Sequence, residues 1–311
     1  MNGARYAYLS RICELIAQGK DIVIVSDDYA APVLDSFRVE YPDRYISVGI
    51  AEQNLIAVSC GLMLAEKRVI AYGCAPFPTI RAFDQIKNAA SMMNLPINIV
   101  VAGIGFAIPE WGATHYNAED ISIMRTIPNM RIITPTDNIM GAAAADYALI
   151  NTTPVYLRFD KYAEGEVYYR DNDIDFELGF KVLREGSDIT VVTCGSFTSR
   201  IMELAKQWRI EGINARIIDL YSLPFDMDAF LEIIKNDTIL TIEEHILQGG
   251  IGTVILEVLQ EYGLTNHIRR MGINFAKEYP QTSGSREYYL VEYGLSNNAI
   301  TSVVLDLLDK N

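Results

Sequence analysis

Short runs of apolar, often β-branched residues alternate with amphipathic stretches from the start of the chain. Residues 4–18 carry Leu9, Ile12, Leu15 and Ile16 at helical spacing, which predicts a helix with one apolar face. Residues 22–25, 45–48, 69–72, 97–102, 131–134 and 155–159 read as strands. Residues 51–65, 81–92 and 137–149 read as the helices between them. Strands apolar along their whole length, alternating with helices, imply a mainly parallel sheet covered on both faces. The texture changes over residues 161–177, which are charged, rich in tyrosine and without helical period, and so read as a connector. The alternation then resumes, with strands at 189–194, 216–220 and 239–242 and helices at 198–209, 230–235, 252–262 and 299–308. The expectation is an α/β chain of two domains with mainly parallel sheets covered by helices on both faces. The boundaries fall at 1–165 for the first domain, 166–180 for the linker and 181–311 for the second domain.

A chain of 311 residues, half of them hydrophobic, is long enough for two cores. The formal net charge of −14 repels phosphate backbones and disfavours nucleic acid as a partner. No apolar run reaches the roughly 18 residues of a membrane span, and residues 1–20 lack a signal-peptide pattern. Cys13, Cys60, Cys74 and Cys194 are scattered without a Cys-x-x-Cys pair, which leaves zinc and dithiol chemistry unsupported. A reduced, cytoplasmic setting fits this usage. Only His115, His245 and His267 are available to any mechanism needing imidazole.

One segment carries chemistry by its place. Gly49-Ile50-Ala51-Glu52-Gln53-Asn54 lies where a strand hands over to a helix, the position at which parallel sheets put their sites. Alone, Glu52 reads as a first-turn acid favoured by the helix dipole. Further segments follow in order: Phe77 with Arg81-Ala82-Phe83-Asp84-Gln85-Ile86, then Trp111-Gly112-Ala113-Thr114-His115, Met124-Arg125-Thr126-Ile127-Pro128-Asn129-Met130 and Pro135-Thr136-Asp137. Asp219-Leu220, Pro224-Phe225-Asp226, Glu243-Glu244-His245, Gly249-Gly250-Ile251-Gly252 and Gly294-Leu295-Ser296 complete the series. Together they resemble the pyrimidine-binding and C-terminal domains of transketolases, over nearly the whole chain.

That resemblance implies a thiamine diphosphate cofactor, with Glu52 as the acid bonded to the far nitrogen of its aminopyrimidine ring. Phe77 is then the candidate aromatic against that ring, or else an ordinary core residue, and Arg81 a further cofactor-binding residue. His115 corresponds to a histidine facing the reacting carbons, where neutral imidazole can shuttle protons; otherwise it is a satisfied loop histidine. Trp111 borders the substrate. Arg158 matches an arginine that binds a phosphate or other acidic substrate group, or else is a strand-end ion pair. His245 reads as structural or as an interface residue. No metal ligand is expected in this chain. The family's Gly-Asp-Gly segment, which holds Mg²⁺ (or Ca²⁺), does not occur. A second subunit is therefore expected to supply the diphosphate-binding domain, with homodimerisation of this chain inside a heterotetramer.

Three departures bear on the substrate, which the resemblance makes a small sugar or keto compound. Trp111 replaces an acid that holds a sugar hydroxyl, and an indole cannot accept that bond. Gly103 stands where a phosphate-contacting histidine is common. Asp27-Asp28-Tyr29-Ala30-Ala31-Pro32 lacks the usual serine. The expected activity is transfer of a two-carbon ketol or acyl unit to a carbonyl acceptor. The alternatives are the β subunit of a 2-oxo acid dehydrogenase and a non-catalytic regulatory partner.

Overall fold

The computed structural model describes residues 3–29, 31–161, 165–170, 174–235, 237–275, 279–280 and 284–309. Ala30 of the strand-end segment and residues 162–164 and 171–173 of the 161–177 connector stretch lie outside them.

The first sheet is built from β1 (Ile22–Ser26), β2 (Tyr45–Ser47), β3 (Arg68–Cys74), β4 (Asn98–Ala102), β5 (Arg131–Ile133) and β6 (Val155–Phe159). The second contains β7 (Phe180–Arg184), β8 (Ile189–Thr193), β9 (Ala215–Leu220), β11 (Ile239–Ile246) and β12 (Ile268–Ile273). The two-residue strand β10 (Ser222–Leu223) leaves the second half of the chain and pairs antiparallel with β5, closing the edge of the first sheet. The orders are β10-β5-β6-β4-β3-β1-β2 and β12-β11-β8-β9-β7, parallel throughout except at β10 and at β7. The mainly parallel, helix-covered α/β architecture read from the sequence is the one observed.

Alternate strand residues go to opposite faces, as the pleat requires. Ile22, Ile24, Ile70, Tyr72, Val100, Leu157 and Phe159 pack against α1 (Ala4–Ala17), α2 (Pro32–Glu40) and α6 (Asn138–Tyr147). Val23, Val25, Val69, Ala71, Ile99 and Val101 face α3 (Glu52–Leu64) and the helical stretch 77–91. That stretch has π-type turns at Phe77–Arg81 and Ile86–Ser91 around a short α-helical piece, α4 (Phe83–Gln85). The same core runs past α5 (Asp120–Met124) into the second sheet, where Val192, Ile218 and Ile239 meet α8 (Met227–Ile234) and α9 (Ile251–Glu261). The far face of the second sheet is covered by α7 (Ser196–Ile210), α10 (Arg286–Glu292) and α11 (Asn297–Leu308). Among the described residues no helix is long and apolar enough to cross a membrane.

Candidate active site

Helix α3 buries Glu52, Leu55, Ile56, Ser59 and Cys60. These are positions i, i+3, i+4, i+7 and i+8, the inward stripe of an amphipathic helix. Glu52 is thus the first residue of the core-facing stripe, and it is 1% exposed. Its place at the helix start sets a negative group against the positive end of the helix dipole. Oε2 accepts a hydrogen bond from Arg81 Nη1 at 2.5 Å. The Arg81 guanidinium also lies over the Phe77 ring, 4.6 Å from its centroid. The π-type turn Phe77–Arg81 carries both Arg81, which bonds Glu52, and the ring that Arg81 covers, and such turns recur at functional sites.

From Phe77 a line of contacts continues outward. His115 meets the Phe77 ring edge-on at 5.1 Å, and Trp111 meets His115 at 4.9 Å. Thr114 Oγ1 is 3.0 Å from His115 Nδ1. Partial burial holds the imidazole below its ordinary value, while a hydrogen bond to the Trp111 backbone works the other way. Trp111 is half exposed; Lys161 Nζ lies 5.6 Å from its ring centroid and 2.5 Å from Glu110. Glu52, Arg81, Phe77, His115 and Trp111, all assigned from the sequence, therefore form one contiguous line. Lys161 and Glu110 extend it; neither Lys161 nor its pairing was signalled by any sequence pattern.

Asp27, at the end of β1, is buried beside this line. Its carboxylate accepts from Tyr29 N at 2.7 Å and Cys74 N at 2.9 Å. Burial pushes it up to about 6, the two amide bonds oppose this, and the nearby Asp28 and Glu52 carboxylates push it further up. Gly103 has φ +100°, and a Cβ there would stand 2.5 Å from Ile108 Cδ1. A histidine at that position would strain the backbone and displace Ile108.

Arg158, read from the sequence as a substrate-binding arginine or a strand-end ion pair, is engaged with Asp120. Its Nε and Nη2 donate to Asp120 Oδ2 and Oδ1 at 2.7 and 2.9 Å, and both side chains are buried. A guanidinium clamped this way is a structural ion pair; removing either member would leave the other charge buried alone. Beside it, His245 Nδ1 donates to Ile246 O, and Nε2 accepts from Ile121 N and Ser122 N, so the ring caps α5. Burial pushes this imidazole down to about 4. Among the described residues no group of three or more His, Cys, Asp or Glu is arranged to hold a metal.

Comparison with known proteins finds matches to both halves of the chain. Residues 3–164 match the family described as transketolase, pyrimidine binding domain, and residues 179–300 match transketolase, C-terminal domain. An apulose-4-phosphate transketolase subunit of Phocaeicola vulgatus is 31% identical, covering 100% of this chain and 99% of that one. A 6-deoxy-6-sulfo-D-fructose transketolase subunit of Clostridium sp. is 28% identical over 98% of this chain and 94% of its own. A solved structure described as a split gene transketolase, inactive β4 tetramer, superposes with TM-score 0.87 at 31% identity, covering 99% of each chain.

Proposed function

Because the chain belongs to the transketolase family, we propose that it is the pyrimidine-side subunit of a two-component, thiamine diphosphate-dependent enzyme that moves a two-carbon ketol or acyl unit onto a sugar-like carbonyl acceptor. Residues 1–165 and 181–311 are taken as its two domains, with 166–180 between them. The observation that carries the reading is the inward-turned carboxylate of Glu52 beside an aromatic face already covered by a planar cation. A guanidinium donating an N–H to Glu52 while lying over Phe77 is chemically close to an aminopyrimidine protonated on its ring nitrogen. The two side chains therefore fit that group.

When bound, the cofactor supplies a thiazolium carbon able to attack a carbonyl. Glu52 would hold the proton at the far ring nitrogen, Phe77 would pack on the ring, and Arg81 would orient the carboxylate. His115, whose partial burial favours the neutral ring, would take or return a proton at the substrate oxygen. Trp111 lines the substrate side and keeps water from it. The naming of relatives as subunits supports a separate partner, which would carry the diphosphate-binding domain and its Mg²⁺. A heterotetramer with two chains of each kind satisfies both requirements.

Two measurements test this. Calorimetric titration of the isolated chain with thiamine diphosphate and magnesium is expected to show no tight binding, whereas the mixture with the partner subunit binds. In that complex Glu52→Gln keeps the shape and removes the shared proton, so turnover should fall by roughly 10²- to 10⁴-fold with the melting temperature unchanged. Full activity in Glu52→Gln would refute the assignment.

A further inference from the structure

The second domain contributes none of the residues of the contact line, yet it grips the loop that carries Trp111 and His115. Gly105 and Asn117 exchange backbone hydrogen bonds of 2.8 and 3.2 Å and so close the loop at its base. Both sides of this base are fastened from the second half of the chain. Glu244 Oε1, from β11, accepts from Phe106 N at 2.7 Å, and Ile246 N donates to Ala118 O at 2.8 Å. The Phe106 ring stacks on Tyr289 at 4.8 Å and on Tyr293 at 5.5 Å, inside the second domain's core. Tyr116 O–H donates to Tyr289 at 2.9 Å.

Arg286, the first residue of α10, ties this grip to the other side of the site. Nε and Nη2 donate to Glu244 at 3.0 and 2.7 Å, and Nη2 also donates to Asp160 at 2.6 Å. Asp160 is 2% exposed and immediately precedes Lys161, the residue that pairs with Glu110 and lies over Trp111. One guanidinium thus joins the carboxylate that holds the loop base to the carboxylate beside Lys161. Removing it would take from Glu244 and Asp160 the cation they share.

We propose that Arg286 and Glu244 are positioning residues, through which the C-terminal domain fixes the Trp111–His115 loop against Phe77. The catalytic part of this statement rests on the proposed function; the positioning part does not. The two are separable because the chain holds two tryptophans, Trp111 and Trp208. Trp208 is buried against Thr301, so Trp208→Phe leaves Trp111 as the sole indole reporter of the loop.

In that background, acrylamide quenching of Trp111 is expected to increase in Arg286→Met and in Glu244→Gln, and to be partly restored in Arg286→Lys. Arg216→Met is the control. It breaks the Arg216–Asp237 and Arg216–Glu185 pairs at the opposite end of the second sheet, and should leave the quenching unchanged. In the complex with the partner subunit, Arg286→Met should lower kcat by roughly 10- to 100-fold, the scale of a misplacement near 1 Å. The dissociation constant for thiamine diphosphate should stay within about twofold, since Glu52 and Phe77 are untouched. Unchanged Trp111 quenching in a folded Arg286→Met overturns the proposal, as does equal quenching in the Arg216→Met control. Increased quenching in a complex whose wild type shows no two-carbon transfer keeps the positioning role and refutes the functional reading instead.

Discussion

At the scale of single residues, Trp111 makes the sharpest statement about substrate. In the proposed reading it stands where the family resemblance expects an acid, and an indole cannot accept a hydrogen bond from a hydroxyl. Its neighbour Glu110 gives one carboxylate oxygen to Lys161 at 2.5 Å and is the alternative acceptor for that hydroxyl. A donor hydroxyl seated against the indole loses water without a partner, at a cost of about 1–3 kcal/mol. A donor presenting a methyl group, such as pyruvate, carries no such cost. Trp111→Asp should therefore raise kcat/KM for a ketose phosphate relative to pyruvate by roughly 5- to 100-fold. Steady-state comparison of the two donors in the complex decides this. A wild type that prefers the ketose phosphate, with no improvement in the variant, would show that Trp111 does not set the donor. The new carboxylate would also lie within reach of Lys161, so donor comparison is more telling than absolute rate. Glu52 was legible in the sequence by its motif, and its helical phase with Leu55, Ile56, Ser59 and Cys60 supplies an independent signal for its burial. Arg158 was not legible in the same way: nothing in sequence spacing shows that Asp120, far away in the chain, arrives to clamp it.

Among the elements, agreement between sequence and structure follows burial. Val155–Phe159 and Ile22–Ser26 are buried at every position, and a continuous apolar run announces such a strand. Edge strands do not announce themselves. Ile268–Ile273 carries Arg269 and Arg270 on the rim of the second sheet, and Phe180–Arg184 is half-buried and antiparallel, so both escaped the pattern. Residues 81–92 do form helix, but the stretch begins at Phe77 with a π-type turn whose irregular period hides it. Helix contacts give a prediction of their own. Gly141, in the middle of α6, lies against α1 so closely that a Cβ would sit 2.2 Å from Ala4 O. Alanine is the better helix former by about 1 kcal/mol, yet the obstruction is backbone and cannot rotate away. Gly141→Ala should therefore destabilise the fold by about 1–3 kcal/mol, read from the urea midpoint. A stabilised variant would show that α1 and α6 can separate at little cost.

Across the whole molecule, buried carboxyls join the two halves. Asp219 is fully buried and accepts from Thr136 of the first half at 2.6 Å, from Tyr168 of the connector at 2.9 Å and from Thr198 of α7 at 2.9 Å. Burial pushes it up to about 7 against those three bonds, with neighbouring Asp137 adding to the rise. The folded chain thus binds a proton that the unfolded chain, with an aspartate near 3.9, has already lost. The stability this contributes is complete below about pH 4, declines as pH rises, and is gone above about pH 7. His245 acts oppositely, since its depressed value costs stability as pH falls below that of an unfolded histidine, about 6.5. Comparing Asp219→Asn with wild type cancels the histidine. The variant should lose less stability between pH 5 and pH 8 than wild type does, by about 2–4 kcal/mol in urea titrations. Identical pH dependence would mean that Asp219 ionises inside the fold without cost.

The short strand β10 has a consequence for how the protein is made. Ser222 and Leu223 cover the open side of β5, yet they follow the last consecutive strand of that sheet, β6, by roughly 60 residues. At about 5–20 residues per second, the nascent first sheet waits roughly 3–12 s on the ribosome with an unpaired edge. The wait ends only when the start of the second domain has been synthesised. The first half of this chain is thus completed by its second half, and its birth order leaves that rim of the sheet dependent on chaperones or on its own brevity until the closing strand arrives.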